Sequence, residues 1–250
     1  MNSLPRINTI YWVTLIAASV FGTNTGDYVS DEMGIGHLSG LPWLAILMGA
    51  ILLAERVLKL GVPLLFWLAI ITVRTAATNI GDAFHDFHLG FAVSLPVISV
   101  AFVLAVAIYR SRGGGIAKNG AAKVDWAYWL CMMMAGAWGT ILGDFTSFGL
   151  TKPPLFPPMA TVWLSVVMAL VFVGGGKGRL LNGWYYWLAV GMVRAAGTAA
   201  GDALAHALEG QGHSLLPALG ISGGIFLILV LWFYGRKAKG NIVLPAQTTA

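Results

Sequence analysis

Residues 187–202 read WLAVGMVRAAGTAAGD, and the frame of that stretch (Trp, ten residues, Thr, two residues, Gly-Asp) returns three more times. The other copies are WVTLIAASVFGTNTGD at 12–27, WLAIITVRTAATNIGD at 67–82 and WLCMMMAGAWGTILGD at 129–144. Each acid ends an otherwise apolar run, a setting in which an ionisable side chain is costly and points to function. Working outward, apolar windows of about 20 residues mark helices able to cross a bilayer. They lie at 8–30, 41–58, 63–87, 92–110, 125–148, 156–173, 183–207 and 215–234. Every repeat is thus a helix ending near Gly-Asp, a polar turn, and a plainer apolar helix. Proline lies near the start of that second helix in each copy, as Pro42, Pro96, Pro157/Pro158 and Pro217. There its missing N–H has no helical partner to lose.

Composition agrees with a membrane class. Of 250 residues, 58% are hydrophobic and only 10% charged, against roughly 25% charged in soluble domains. One cysteine, Cys131, excludes an internal disulfide framework and any multi-cysteine metal site. The net charge of +5 is spread over short segments between apolar runs, so no nucleic-acid partner is expected. Arg6, Arg56, Lys59, Arg110, Arg112, Lys118, Lys123, Lys177, Arg179, Arg236, Lys237 and Lys239 share the face holding both termini, and Lys152 is alone opposite. The positive-inside rule then predicts cytoplasmic termini. Arg6 and the apolar run behind it imitate a signal peptide, but the match to three internal segments predicts that this first helix is retained.

The predicted fold is an all-α membrane protein with eight transmembrane helices from four parallel two-helix repeats, pseudo-two-fold or four-fold about the membrane normal. Residues 1–112 form one half, 113–122 a flexible Gly-rich cytoplasmic linker, 123–240 the other half and 241–250 a tail. Gly174–Gly176 is a shorter linker of the same kind, and neither glycine run carries a phosphate-cradling motif.

On a helix, Asp and the Thr four residues before it lie about 40° apart, and the Trp about 60° away. Facing stripes would therefore bring Asp27, Asp82, Asp144 and Asp202 together, with Thr23, Thr78, Thr140 and Thr198 as neutral oxygen donors. Eight residues before the Asp, Arg74 and Arg194 break the four-fold pattern, with Ser19 and Gly136 in the other copies. Their expected partners are motif aspartates of neighbouring repeats. Four carboxylates and two guanidinium groups leave a net −2, matching one divalent cation or two protons. The competing reading of the aspartates is a structural ion-pair network with close helix packing at the glycines. Each motif Trp is expected to anchor its helix in the interfacial aromatic belt. The five histidines, His37, His85, His88, His206 and His213, gather with Asp31, Glu32, Asp86 and Glu209 on the side away from the termini. They are read as solvated turn residues or as an outward vestibule for cations or protons.

With this pattern laid out, the chain resembles a family of uncharacterised bacterial membrane proteins built from four tandem repeats of unknown function, over roughly Ile10 to Tyr234. The resemblance implies the eight-helix architecture and the bacterial inner membrane. A looser likeness of chemistry is to cation exchangers with a Glu-x-Gly-Asp motif. Here Asn24, Asn79, Ile141 and Ala199 stand where that Glu would be.

The leading functional expectation is a secondary transporter for a cation, chiefly a divalent metal carried as substrate, with no resident cofactor. The four aspartates serve as its ligands, His85 or His206 as supplementary ones, and Arg74 and Arg194 balance charge. The first alternative is proton-coupled organic-anion transport on the two arginines. The second is a membrane metal- or haem-binding redox protein using His85, Asp86 and His88. No Ser-His-Asp set or zinc-protease motif occurs, so an enzyme is not expected. The partners implied are the lipid bilayer and a small ion or small molecule.

Overall fold

The computed structural model describes residues 4–58, 63–152, 154–209, 214–235 and 242–243. Lys59, His213, Arg236, Lys237, Lys239 and most of the 241–250 tail lie outside these described residues. The architecture is all-α, with eight helices: α1 Thr9–Asp27, α2 His37–Leu58, α3 Pro63–Asp86, α4 Phe91–Ser111, α5 Trp126–Asp144, α6 Phe156–Arg179, α7 Gly183–Glu209 and α8 Leu216–Val230. Leu4–Pro5 pairs antiparallel with Ile242–Val243, which joins the two chain ends at one end of the bundle.

Local sequence explains where these helices begin. Asn8 accepts the Tyr11 backbone N–H at 3.0 Å and Asp125 accepts that of Tyr128 at 3.1 Å, capping α1 and α5 four residues before their motif Trp. Such caps satisfy backbone donors that have no intrahelical partner. Pro63 opens α3, and Pro157, Pro158 and Pro217 sit in the first turns of α6 and α8. Pro42 and Pro96 lie one turn further inside α2 and α4. In α6 the glycine run is a kink rather than a linker, because Gly176 takes φ 50°, a backbone conformation that suits glycine.

The motif helices form the interior. α1 packs on α3, α3 on α5, α5 on α7, and α7 returns to α1. Around this ring α2 lies on α3, α4 on α5, α6 on α7 and α8 on α1, so each second helix covers the next motif helix. Among the described residues five helices are long and apolar enough to cross a membrane: α2, α3, α4, α6 and α8, the last counted through Tyr234. Of α3's apolar stretch 67% is buried inside the protein, against 11% to 28% for the other four. The outer helices expose large apolar side chains, among them Trp43, Ile46, Val100, Val103, Trp163, Leu170, Ile225 and Ile228. A surface of that kind suits lipid and not water. Gly, Ala and Thr in the inner helices instead permit close backbone approach.

The linker differs from expectation. Ile116 bridges Ala122, Ala117 N–H donates to Ala121 O at 2.8 Å, and the Tyr109 hydroxyl donates to the carbonyls of Gly115 and Lys123. Ile7 N–H donates to Gly120 O at 3.0 Å. Residues 113–122 therefore form a folded hairpin tied to the N-terminal segment.

Candidate functional site

The four motif helices carry three polar layers along the bundle axis, set by residue spacing. The layer furthest from the termini is acidic. Asp27, Asp82, Asp144 and Asp202 all line one open cavity of about 400 Å³. Asp31, His37, His85 and Phe148 complete its wall. A smaller cavity of about 250 Å³ shares Asp27, Asp31 and Asp202 and reaches His206. His85 Nε2 stands 3.5 Å from Asp144 Oδ2. At the rim His37 bridges two acids, with Nδ1 2.7 Å from Asp86 Oδ2 and Nε2 3.4 Å from Asp31 Oδ1. The mouth is further tied where Ser214 Oγ and the Leu215 N–H donate to Glu32 at 2.8 and 2.6 Å. Among the described residues no group of three His, Cys, Asp or Glu is placed to hold a bare metal ion. The expected metal set of four Asp with His85 or His206 therefore surrounds a shared cavity without closing on a single point.

One turn below lies the threonine layer, and here the structure corrects the sequence reading. The four hydroxyls converge on Arg74. Its Nη1 donates to Thr78 at 2.8 Å and Thr140 at 2.9 Å, and its Nη2 to Thr23 and Thr198, each at 2.6 Å. Thr23 and Thr198 donate their own protons to Ser19 O and Arg194 O, both at 3.1 Å. Their oxygens are thus committed as acceptors for a guanidinium, where sequence reasoning made them cation ligands. Among the described residues no ion pair joins Arg74 or Arg194 to a carboxylate, so the expected Arg–Asp partnership is replaced by neutral oxygens. Four terminal N–H groups meet four acceptors, which suits the fixed fork of arginine.

The motif glycines explain why these helices come close enough. A Cβ on Gly26 would stand 2.8 Å from Thr78, on Gly81 2.7 Å from Thr140, on Gly143 2.9 Å from Thr198, and on Gly201 3.1 Å from Thr23. Each motif Gly therefore receives the Thr of the next motif helix, and the last closes on the first. Gly22 and Gly139 make room in the same way for the stems of Arg74 and Arg194.

The third layer is aromatic and closes the axis towards the termini. Trp67 and Trp187 are fully buried, Trp12 and Trp129 nearly so. This contradicts their assignment to an interfacial belt. Trp12, Trp67 and Trp187 pack edge-on with Phe172, Phe66, Tyr109 and Tyr186, and Trp129 with Tyr128, in one cluster. The side chain before each Trp was not singled out in the sequence reading, although its signal is plain: Tyr11, Phe66, Tyr128 and Tyr186. All four are buried, and the three phenol oxygens meet, Tyr11 to Tyr186 at 2.6 Å, Tyr128 to Tyr186 at 3.3 Å and Tyr128 to Tyr11 at 3.5 Å.

The two arginines, equivalent by spacing, behave differently. Arg74 reaches one turn towards the acids, to Thr78 of its own helix. Arg194 reaches Met132 of α5, one turn nearer the termini, with Nη2 3.8 Å from the sulfur. A second alternation follows the acids. Helices α1 and α5 run on into π-type turns, Tyr28–Glu32 and Phe145–Gly149, whereas α3 and α7 continue as α-helix. Single π-type turns recur at functional sites. Asn24 also ties α1 to α8 through Ala218 O and Ser222 Oγ, while Asn79 ties α3 to His37 O at the start of α2.

A family model for a repeat of unknown function, DUF347, matches the chain twice. The matched stretches are residues 10–59 and 185–239, which hold the first and fourth motif copies. No curated protein and no solved structure matches the chain. The similarity carries the idea of a repeat and brings no activity with it.

Proposed function

We propose that the protein is a secondary transporter for a cation, its eight helices crossing the bacterial inner membrane as four parallel repeats with both termini cytoplasmic. The observation that carries this reading is the convergence of all four motif carboxylates on one open cavity. Among the described residues no arginine or lysine pairs with them. Four acids facing one space, with only His85 beside Asp144 as an ionisable partner at contact distance, favour a mobile cation there. About 400 Å³ equals the volume of about a dozen waters, and no three ligands are set to chelate a bare ion. The cargo that fits is therefore a hard divalent cation retaining part of its water shell, as Mg²⁺ characteristically does. The aromatic layer closes the axis beneath the site, consistent with a conformation open on the acidic side only. Arg74 has every terminal N–H engaged, which leaves it no fork for an organic carboxylate and weighs against anion transport at that residue.

The test is divalent-cation uptake (Mn²⁺ and Mg²⁺) into liposomes holding the purified protein, comparing wild type with Asp82→Asn and Asp202→Asn. Both variants are expected to lose transport while keeping wild-type melting behaviour. Undiminished uptake in both sinks the reading.

A further inference from the structure

We propose that the groove between α2 and α5, floored by α3, binds one anionic phospholipid, with an acyl chain along the groove and its phosphate at Arg112 and Arg56. The groove has a volume of about 720 Å³. Leu44 and Leu52 of α2, Ala76 and Ile80 of α3, and Trp126 and Met133 of α5 stand along its wall. That wall is apolar apart from the indole edges of Trp126 and Trp129 and the hydroxyl of Thr72, which donates to Leu68 O at 2.9 Å. The groove shares no lining residue with the acidic cavity.

The repeat shows that one residue leaves this space open. One copy later, α4, α5 and α7 stand where α2, α3 and α5 stand here, and Trp184, Trp187 and Leu188 take the places of Trp126, Trp129 and Leu130. The groove they line holds only about 270 Å³. Trp138 fills it: its indole N–H donates to Ser99 Oγ at 3.0 Å and its ring centre lies 5.8 Å from that of Phe102. Trp138 stands six residues before Asp144, and six before Asp82 stands Ala76. The α2–α5 groove is therefore the same architecture without its plug. Interiors tolerate few voids, and an open apolar groove on a face that suits lipid takes hydrocarbon.

Size and charge select the occupant. From Leu41 to Leu52 the groove follows α2 for about 16 Å, close to the ~15 Å of hydrocarbon in one leaflet. With a methylene taken as about the size of a water, ~30 Å³, a chain of about sixteen carbons needs about 480 Å³ and fits. A helix about 10 Å wide over the same length needs about 1,250 Å³, more than the groove offers, which weighs against a second copy of the chain. Charge gathers at the end of the groove nearest the chain termini. Arg112 lies over the Trp126 ring, its guanidinium carbon 4.8 Å from the ring centre, and Lys123 Nζ donates to the Arg112 carbonyl. Arg56 is exposed one turn beyond Leu52 on the same stripe of α2. Asp125 lies 4.0 Å from Lys123 and caps α5, so three cations and one acid leave this corner positive. Basic clusters at a membrane face recruit anionic headgroups, and a guanidinium matches phosphate with two hydrogen bonds. The site requires only that these helices lie in a bilayer and is independent of what the acidic cavity carries.

The experiment is native mass spectrometry of the full-length protein in detergent, titrated with phosphatidylglycerol or with phosphatidylcholine of the same acyl chains. Wild type is expected to hold one phosphatidylglycerol about tenfold more tightly than phosphatidylcholine. The double variant Arg56→Gln/Arg112→Gln is expected to lose that preference. Ala76→Trp, which plugs the groove as Trp138 plugs its own, is expected to lose the site for both lipids. Should Ala76→Trp fail to fold, the arginine variant alone decides. Equal affinity of wild type for the two lipids overturns the proposal, as does a preference unchanged in the arginine variant or a site that survives in folded Ala76→Trp. A dimer that Ala76→Trp dissociates would give the groove to a second copy and overturn it as well.

Discussion

Thr140→Val removes a single oxygen from the Arg74 cage and keeps the shape of the side chain. The lost contact is the 2.9 Å bond from Arg74 Nη1 across two helices. Hydrogen bonds to charged groups contribute about 1.5–3 kcal/mol, whereas neutral side-chain bonds inside membranes average about 0.6 kcal/mol. If the cage matters because it satisfies a charge, the cost must depend on Arg74 being present. The design is therefore a double-mutant cycle with Arg74→Met. Replacing a buried charge that has no ion-pair partner removes its desolvation cost together with its hydrogen bonds, and Thr23 and Thr198 keep their bonds to Ser19 O and Arg194 O. The expected coupling between positions 74 and 140 is about 1.5–3 kcal/mol, equivalent to roughly 3–12 °C in Tm for a chain of this size. Unfolding in detergent followed by circular dichroism reads it. A coupling under about 0.5 kcal/mol would show that Thr140 packs without holding the guanidinium.

Gly81→Ala forces a methyl to 2.7 Å of Thr140 Cγ2, so a loss of about 1–3 kcal/mol is expected from overpacking. Gly220→Ala, which meets nothing within 4 Å, is expected to be neutral or to gain up to about 1 kcal/mol from helix propensity; paired melting curves compare them, and equal effects refute the packing account. Single-tryptophan variants separate buried from lipid-facing rings. Trp43 and Trp163, 69% and 57% exposed, are expected to be quenched by brominated lipids, and Trp67 and Trp187 to be protected; strong quenching of Trp187 would restore the interfacial-belt reading. Arg74→Met in liposomes is expected to raise passive cation leak without raising driven transport, and an unchanged leak would argue that Arg74 is no barrier.

Helix number, order and the convergence of the acids were legible because each rests on spacing. A frame repeated at 12–27, 67–82, 129–144 and 187–202 holds its residues on one helical stripe, and the Pro and cap positions fix the ends. The misreadings share a cause. Spacing says which face a side chain occupies but not which way a long one extends. Arg74 was expected to reach the motif aspartates of a neighbouring repeat, whereas its guanidinium stops one turn short of them, among the threonines. The tryptophans were assigned by hydropathy near a helix start, and whether such a ring faces lipid or a neighbouring helix is decided by assembly. The tyrosine layer was not legible as a site because Tyr11, Phe66, Tyr128 and Tyr186 lie among apolar residues at helix starts, where an aromatic ring reads as packing.

Because the threonines serve Arg74, their oxygens are not free for an ion, and on the proposed reading selectivity would fall to the carboxylates. Arg74 then has a second consequence. Its guanidinium sits about one helical turn, ~5.4 Å, below the acid layer. At an effective dielectric of about 20 a unit charge at that distance opposes a divalent cation by roughly 6 kcal/mol. On the proposed reading, a cation drawn into the cavity by the four acids would meet the first positive charge beneath them as a barrier. Moving further along the axis requires Arg74 to leave its four oxygens. The alternative direction for such a side chain is already occupied in this conformation, by Arg194 reaching towards Met132. Two like charges in that lower space would oppose each other. The floor of the acidic cavity and Arg194 are therefore linked by electrostatics, and the like charge of Arg194 helps to keep Arg74 among its four oxygens.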